Sequence, residues 1–123
     1  MHDEIEPALY SALEREEVLA TPYVNVFGSV PDSGWVQFND GPRYSTGYAS
    51  LFQTIGFMTE THMLKPFDER VWATYAFLKG SVALSDSEGE AIRTTREKTR
   101  AAWQAVEEYP LQYVVNRDKP TLF

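Results

Sequence analysis

The sequence predicts an α/β fold, a partial mixed sheet with flanking helices, on three observations. Apolar residues recur at helical spacing over residues 3–20 and again from Asp68 onward. Short strand-like runs occur at 23–27 and 35–38. Residues 55–64 form an apolar run of strand length. With 123 residues the chain is one domain, or a piece of a larger one.

In order, residues 3–20 place Ile5, Leu9, Leu13 and Val18 along one helical face. Asp3, Glu4 and Glu6 fall in the first turn, where acidic groups suit the helix dipole, and Thr21-Pro22 stops the helix. Tyr23-Val24-Asn25-Val26-Phe27 alternates as a strand does. Pro31-Asp32-Ser33-Gly34 is a turn signal, and Trp35–Phe38 reads as a second strand or extended arm. Residues 39–47 are dense in turn formers, and Tyr48–Gln53 is expected to be a short helix.

Residues 55–64 (IGFMTETHML) read as an interior strand, closed by Lys65-Pro66. From Asp68 the pattern is helical, with Val71, Tyr75, Leu78 and Val82 on one stripe. The polar stretch Ser85–Gly89 is expected to interrupt that helix before a second stripe, Ile92 to Val106. Asp68 and Ser87 are the candidate N-caps. After Pro110, residues 111–115 look like a strand that starts and runs out, so 110–123 could begin a further segment. The strongest strand, 55–64, has no partner of similar strength, which hints at a truncated sheet.

A net charge of −7 and a pI near 4.7 argue against nucleic acid, whose binding needs clustered Lys and Arg. The basic run Arg93–Arg100 is broken by Glu97 and reads as a solvated helix face. No cysteine is present, which excludes disulfides and thiolate zinc sites. No apolar run approaches the roughly 20 residues that span a bilayer.

Glu60 is the residue whose setting suggests chemistry. On a strand it would share a face with Met58 and His62 inside an apolar wall. Burial there raises a carboxyl pKa and suits a general acid/base. The alternative is a Glu60 near a strand end, in water or paired with Lys65. His62 reads as a pocket group or a hydrogen-bonded core histidine. His2 and His62 are the sole histidines, and no His-x-x-Glu or His-Glu-x-x-His occurs, so a complete zinc site is not expected in this chain. Ser45, Ser50 and Ser81 lack a nucleophile-elbow context.

Residues 41–75, GPRYSTGYASLFQTIGFMTETHMLKPFDERVWATY, resemble a branch of the zinc carboxypeptidase family, the carboxypeptidase A-like metallopeptidases. There a Pro-Arg-Tyr-Ser loop leads through a short helix into a strand bearing a glutamate, followed by Lys-Pro and a long helix. Tyr23–Gly28 and Pro31–Gly34 also look like this branch. The resemblance implies that the chain is the back half of such a catalytic domain, in a parent that hydrolyses peptide bonds. Glu60 would be the general base that activates water and passes its proton to the leaving amine. Tyr44 or Tyr48 would close over a peptide substrate, and Arg43 would bind a carboxylate or simply anchor its loop. His62 stands where many relatives carry arginine.

The family's zinc ligands, an early His-x-x-Glu and a later histidine, have no counterpart here. Zinc is therefore expected in the full-length parent, and the isolated chain is expected to be inactive. Family members are often exported, with any leader lying upstream. A half-domain would also associate with itself through an exposed sheet edge. Two other readings are a non-catalytic peptide-binding or interaction module derived from the fold, and a small α/β domain with a coincidental likeness.

Overall fold

The computed structural model describes residues 2–26, 30, 32, 34–37, 39–110, 113, 114, 116 and 118. Its elements are α1 (His2–Arg15), β1 (Val24–Val26), β2 (Trp35–Gln37), α2 (Ser45–Ser50) and α3 (Phe67–Gln104). At about 1.5 Å per residue, the 38-residue α3 is roughly 57 Å long and is the spine of the molecule.

Helix α1 forms on the expected Ile5, Leu9 and Leu13 stripe, and all three side chains are buried. They cover the face of α3 that carries Ala76 and Gly80, four residues apart. Ala76 is 1% exposed. A Cβ on Gly80 would stand 3.1 Å from the Ala12 Cβ and 3.4 Å from the Leu9 Cδ1. Small residues on α3 thus let the two helices approach closely.

The contact is closed at the end of α1. The Trp72 indole N–H donates to the Glu16 carbonyl at 3.3 Å, and the Lys79 ammonium bonds the Glu16 carboxylate at 2.5 Å. That hydrogen bond and the charge of Glu16 raise the lysine above its ordinary pKa. Helix α1 ends sooner than 3–20 because its last turn closes on itself. The Val18 and Glu17 amides donate to the Leu13 and Glu14 carbonyls, a Schellman arrangement that places Glu17 at φ 58°.

The α/β expectation is overturned. Helix dominates, and among the described residues sheet is confined to the antiparallel β1–β2 hairpin of two three-residue strands. Its register is Val24↔Gln37, Asn25↔Val36 and Val26↔Trp35, with Gly34 at φ 93° leading into β2. The expected strand 55–64 does not form: residues 54–62 adopt no helix, strand or turn. A strand needs a ladder partner, and among the described residues none pairs with this segment.

Helix α3 is not interrupted at Ser85–Gly89. The Ser85 hydroxyl donates to the Ser81 carbonyl at 2.7 Å and the Ser87 hydroxyl to the Leu84 carbonyl at 3.2 Å. These serines therefore bond within the helix instead of leaving it. Ser87 is mid-helix, and Pro66 is the N-cap, with Asp68 and Glu69 in the first turn. Of the expected strand at 111–115, residues 111, 112 and 115 lie outside the described residues, and 113 and 114 form none.

The accessible surface is 10393 Å², whereas a compact monomer of this mass exposes about 6,700 Å². Apolar side chains standing in solvent contribute to the excess, among them Val71, Tyr75, Leu78 and Val82.

Two stability changes follow, both read by urea unfolding under far-ultraviolet circular dichroism. Glu17→Gly removes a left-handed non-glycine residue and is expected to stabilise by about 1 kcal/mol. Gly80→Val puts a branched side chain into the α1 contact and is expected to destabilise by about 1–3 kcal/mol.

Candidate functional site

The 41–56 segment is a compact unit built on two close approaches. The Tyr44 amide donates to the Gly41 carbonyl at 3.0 Å, and the Tyr48 amide to the Tyr44 carbonyl at 2.8 Å. Gly47 is buried under the preceding loop, where a Cβ would come within 2.5 Å of the Asp40 carbonyl oxygen and closer still to that of Gly41. Gly56 then passes across α2, with its Cβ position 3.3 Å from the Thr46 Cα and 3.4 Å from the Ala49 Cβ. The Thr46 hydroxyl is buried at this crossing without a hydrogen-bond partner.

Helix α2 starts at Ser45 instead of Tyr48 and ends in a second Schellman arrangement. The Gln53 amide donates to Ser50 and the Thr54 amide to Ala49, with Gln53 at φ 49°. Arg96 of α3 holds this turn. Its Nε donates to the Gln53 carbonyl at 2.9 Å, and a terminal nitrogen donates to the Thr54 hydroxyl at 3.0 Å.

Arg96 was expected on a solvated face; here a cation meets the negative end of a short helix. Arg93 lies between Glu90 and Glu97, at 2.6 and 2.7 Å. Hydrogen bonding from this guanidinium lowers the Glu90 pKa. Phe57 completes the anchoring, edge-on to Phe77 of α3 at 6.2 Å between centroids.

The candidate residues fall into two sets. Arg43, Tyr44 and Tyr48 belong to the loop and α2, and all are exposed. The Tyr48 ring packs on Phe52 at 5.2 Å. Glu60 and His62 belong to the segment beyond Phe57 and are exposed as well. Among the described residues no apolar wall encloses Glu60, and Met58, Met63 and Leu64 beside it are also exposed. His62 forms a turn: its Nδ1 accepts the Leu64 amide at 3.2 Å, and its carbonyl accepts the Lys65 amide at 3.0 Å. Its neutral form thus carries the proton on Nε2.

Among the described residues no group of three or more His, Asp or Glu side chains is placed to hold a metal ion. These residues do not fit a zinc site of their own. A groove of about 240 Å³ on α3, lined by Gly89, Ile92, Arg93, Arg96, Glu97 and Arg100, includes none of the candidate residues. No family model, no curated protein and no solved structure matches this chain.

The residues that sequence reasoning missed are Gly47, Gly56 and Arg96, which shape the loop. A glycine mid-way through a six-residue helix was the available signal for the first. Gly47→Ala is expected to open the 40–48 loop, because its methyl group collides with backbone carbonyls. Faster amide hydrogen exchange at Tyr44 and Tyr48, with α1 and the α1-covered part of α3 unchanged, is the measurement that checks it.

Proposed function

We propose that this chain is a segment of a zinc metallocarboxypeptidase, inactive alone, that supplies the general base Glu60 and a substrate-pocket loop. The observation that carries the reading is the order of elements through 41–75. A Pro42-Arg43-Tyr44-Ser45 loop runs into short α2, then an extended glutamate segment, then Lys65-Pro66 and long α3. That is the order of residues the family resemblance implies, with an irregular segment at 54–62 where the resemblance implies a strand. The surplus of exposed apolar surface supports the further point that the chain is completed by other polypeptide.

In this reading Glu60 accepts the proton of the attacking water and delivers it to the departing amine. Tyr44 and Tyr48 offer rings and hydroxyls to a peptide, and Arg43 or the Nε2 of His62 offers donors to a substrate oxygen. In this reading the catalytic zinc is held by the parent protein, as the resemblance implies.

A second reading, a non-catalytic peptide-binding module, is favoured by the exposed aromatic group of Tyr44, Tyr48 and Phe52. The two readings separate on one substitution. Glu60→Gln in the longest native protein is expected to lower kcat for peptide hydrolysis by about 10²–10⁴-fold with little change in KM. Unchanged hydrolysis removes Glu60 from the chemistry. A native protein that binds C-terminal peptides without cleaving them makes the binding module correct.

A further inference from the structure

Helix α3 has two apolar faces and α1 covers one of them. The other carries Phe67, Val71, Tyr75, Leu78 and Val82, which are between 51% and 73% exposed. At 3.6 residues per turn this stripe lies roughly 150° around the helix from the Ala76 and Gly80 face. Its spacing of four, four, three and four residues is that of a helix meeting another helix. We infer that the stripe is the interface of a homodimer, in which α3 packs antiparallel against α3 of a second copy.

Three observations select a second copy over an unrelated partner. The first is area: the chain exposes about 3,700 Å² more than a compact monomer, and a stable interface takes about 800 Å² from each partner. The second is shape: the stripe is centred between Thr74 and Tyr75, so a twofold axis there lays the patch on itself. It spans about 24 Å of helix.

The third is charge. Asp68 and Lys79 lie along the same edge of the stripe, on opposite sides of its centre. An antiparallel pair brings this edge of each copy beside the same edge of the other and sets Asp68 near Lys79, twice, whereas a parallel pair leaves the two edges on opposite sides of the interface and that pairing unmade. Lys79 has three donors and its bond to Glu16 uses one, so a second carboxylate can join it. The self-association expected through a sheet edge has no strand at 55–64 to supply that edge, and α3 takes its place.

The inference stands apart from the peptidase reading, because its test is mass and not hydrolysis. Sedimentation equilibrium of the full chain at micromolar concentrations is expected to give twice the 14.0 kDa chain mass. Leu78→Glu, on the face away from α1, is expected to give a monomer of unchanged helicity, and Asp68→Lys a dimer weakened several-fold. The chain lacks cysteine, so orientation can be read by cross-linking. Phe67→Cys and Val82→Cys chains, mixed with a short bismaleimide, are expected to couple to each other and not to themselves. A monomer at every concentration, a dimer indifferent to Leu78→Glu, or self-coupling of the Phe67→Cys chain overturns the proposal. So does a monomer whose stripe becomes protected only when the rest of the parent polypeptide is added.

Discussion

The close approach of α1 to α3 at Ala76 and Gly80 is the constraint on which the rest of the structure depends. A larger side chain at either position would lift α1 away and uncover Ile5, Leu9 and Leu13, which with Ala76 are the buried apolar side chains of the described residues. Contacts at the end of α1 follow from that approach. Trp72 and Lys79 reach Glu16 because Leu13 is seated nearby on α3. A surface ion pair of this kind is screened by water, so Lys79–Glu16 fixes where α1 ends more than it stabilises the fold. Further along α3, Phe77 receives Phe57 and Arg96 receives the turn after α2. The whole candidate loop is therefore hung on one helix at two points.

Much of this was legible in sequence where local pattern and tertiary environment agree. The Ile5, Leu9, Leu13 stripe announced α1 and its buried face, and the alternation at 23–27 and the run at 35–38 announced the hairpin strands to within two residues at each end. The failures share a physical origin. Serines in a polar run read as helix breakers, yet Ser85 and Ser87 return their hydroxyls to the carbonyls of the preceding turn. An arginine in a basic run read as solvated, yet Arg96 finds carbonyls 43 and 44 residues away in sequence. In each case the deciding partner is a backbone carbonyl, which no residue pattern displays.

Residues 55–64 are a different kind of failure. Isoleucine, phenylalanine, methionine and leucine at this density specify burial, and among the described residues the Phe57–Phe77 ring contact is what the segment finds. The pattern therefore describes an environment that these residues do not reach by themselves. A carboxylate has little reason to sit in a run of this character unless the run is covered and the carboxylate is used.

Two apolar surfaces are thus left open, and they do not ask for the same cover. The α3 stripe runs equal lengths either side of its midpoint and carries opposite charges there along one edge, which suits a surface that meets itself. The 55–64 segment has no such symmetry. Glu60, His62 and Lys65 crowd its C-terminal end, and a second copy laid across it in reverse would set that charged end against Ile55 and Phe57. Such a surface suits a different polypeptide, one that covers the apolar end while leaving Glu60 facing a site. A homodimer through α3 leaves this segment uncovered, so contact between two copies and a contact at 55–64 use separate faces and do not compete.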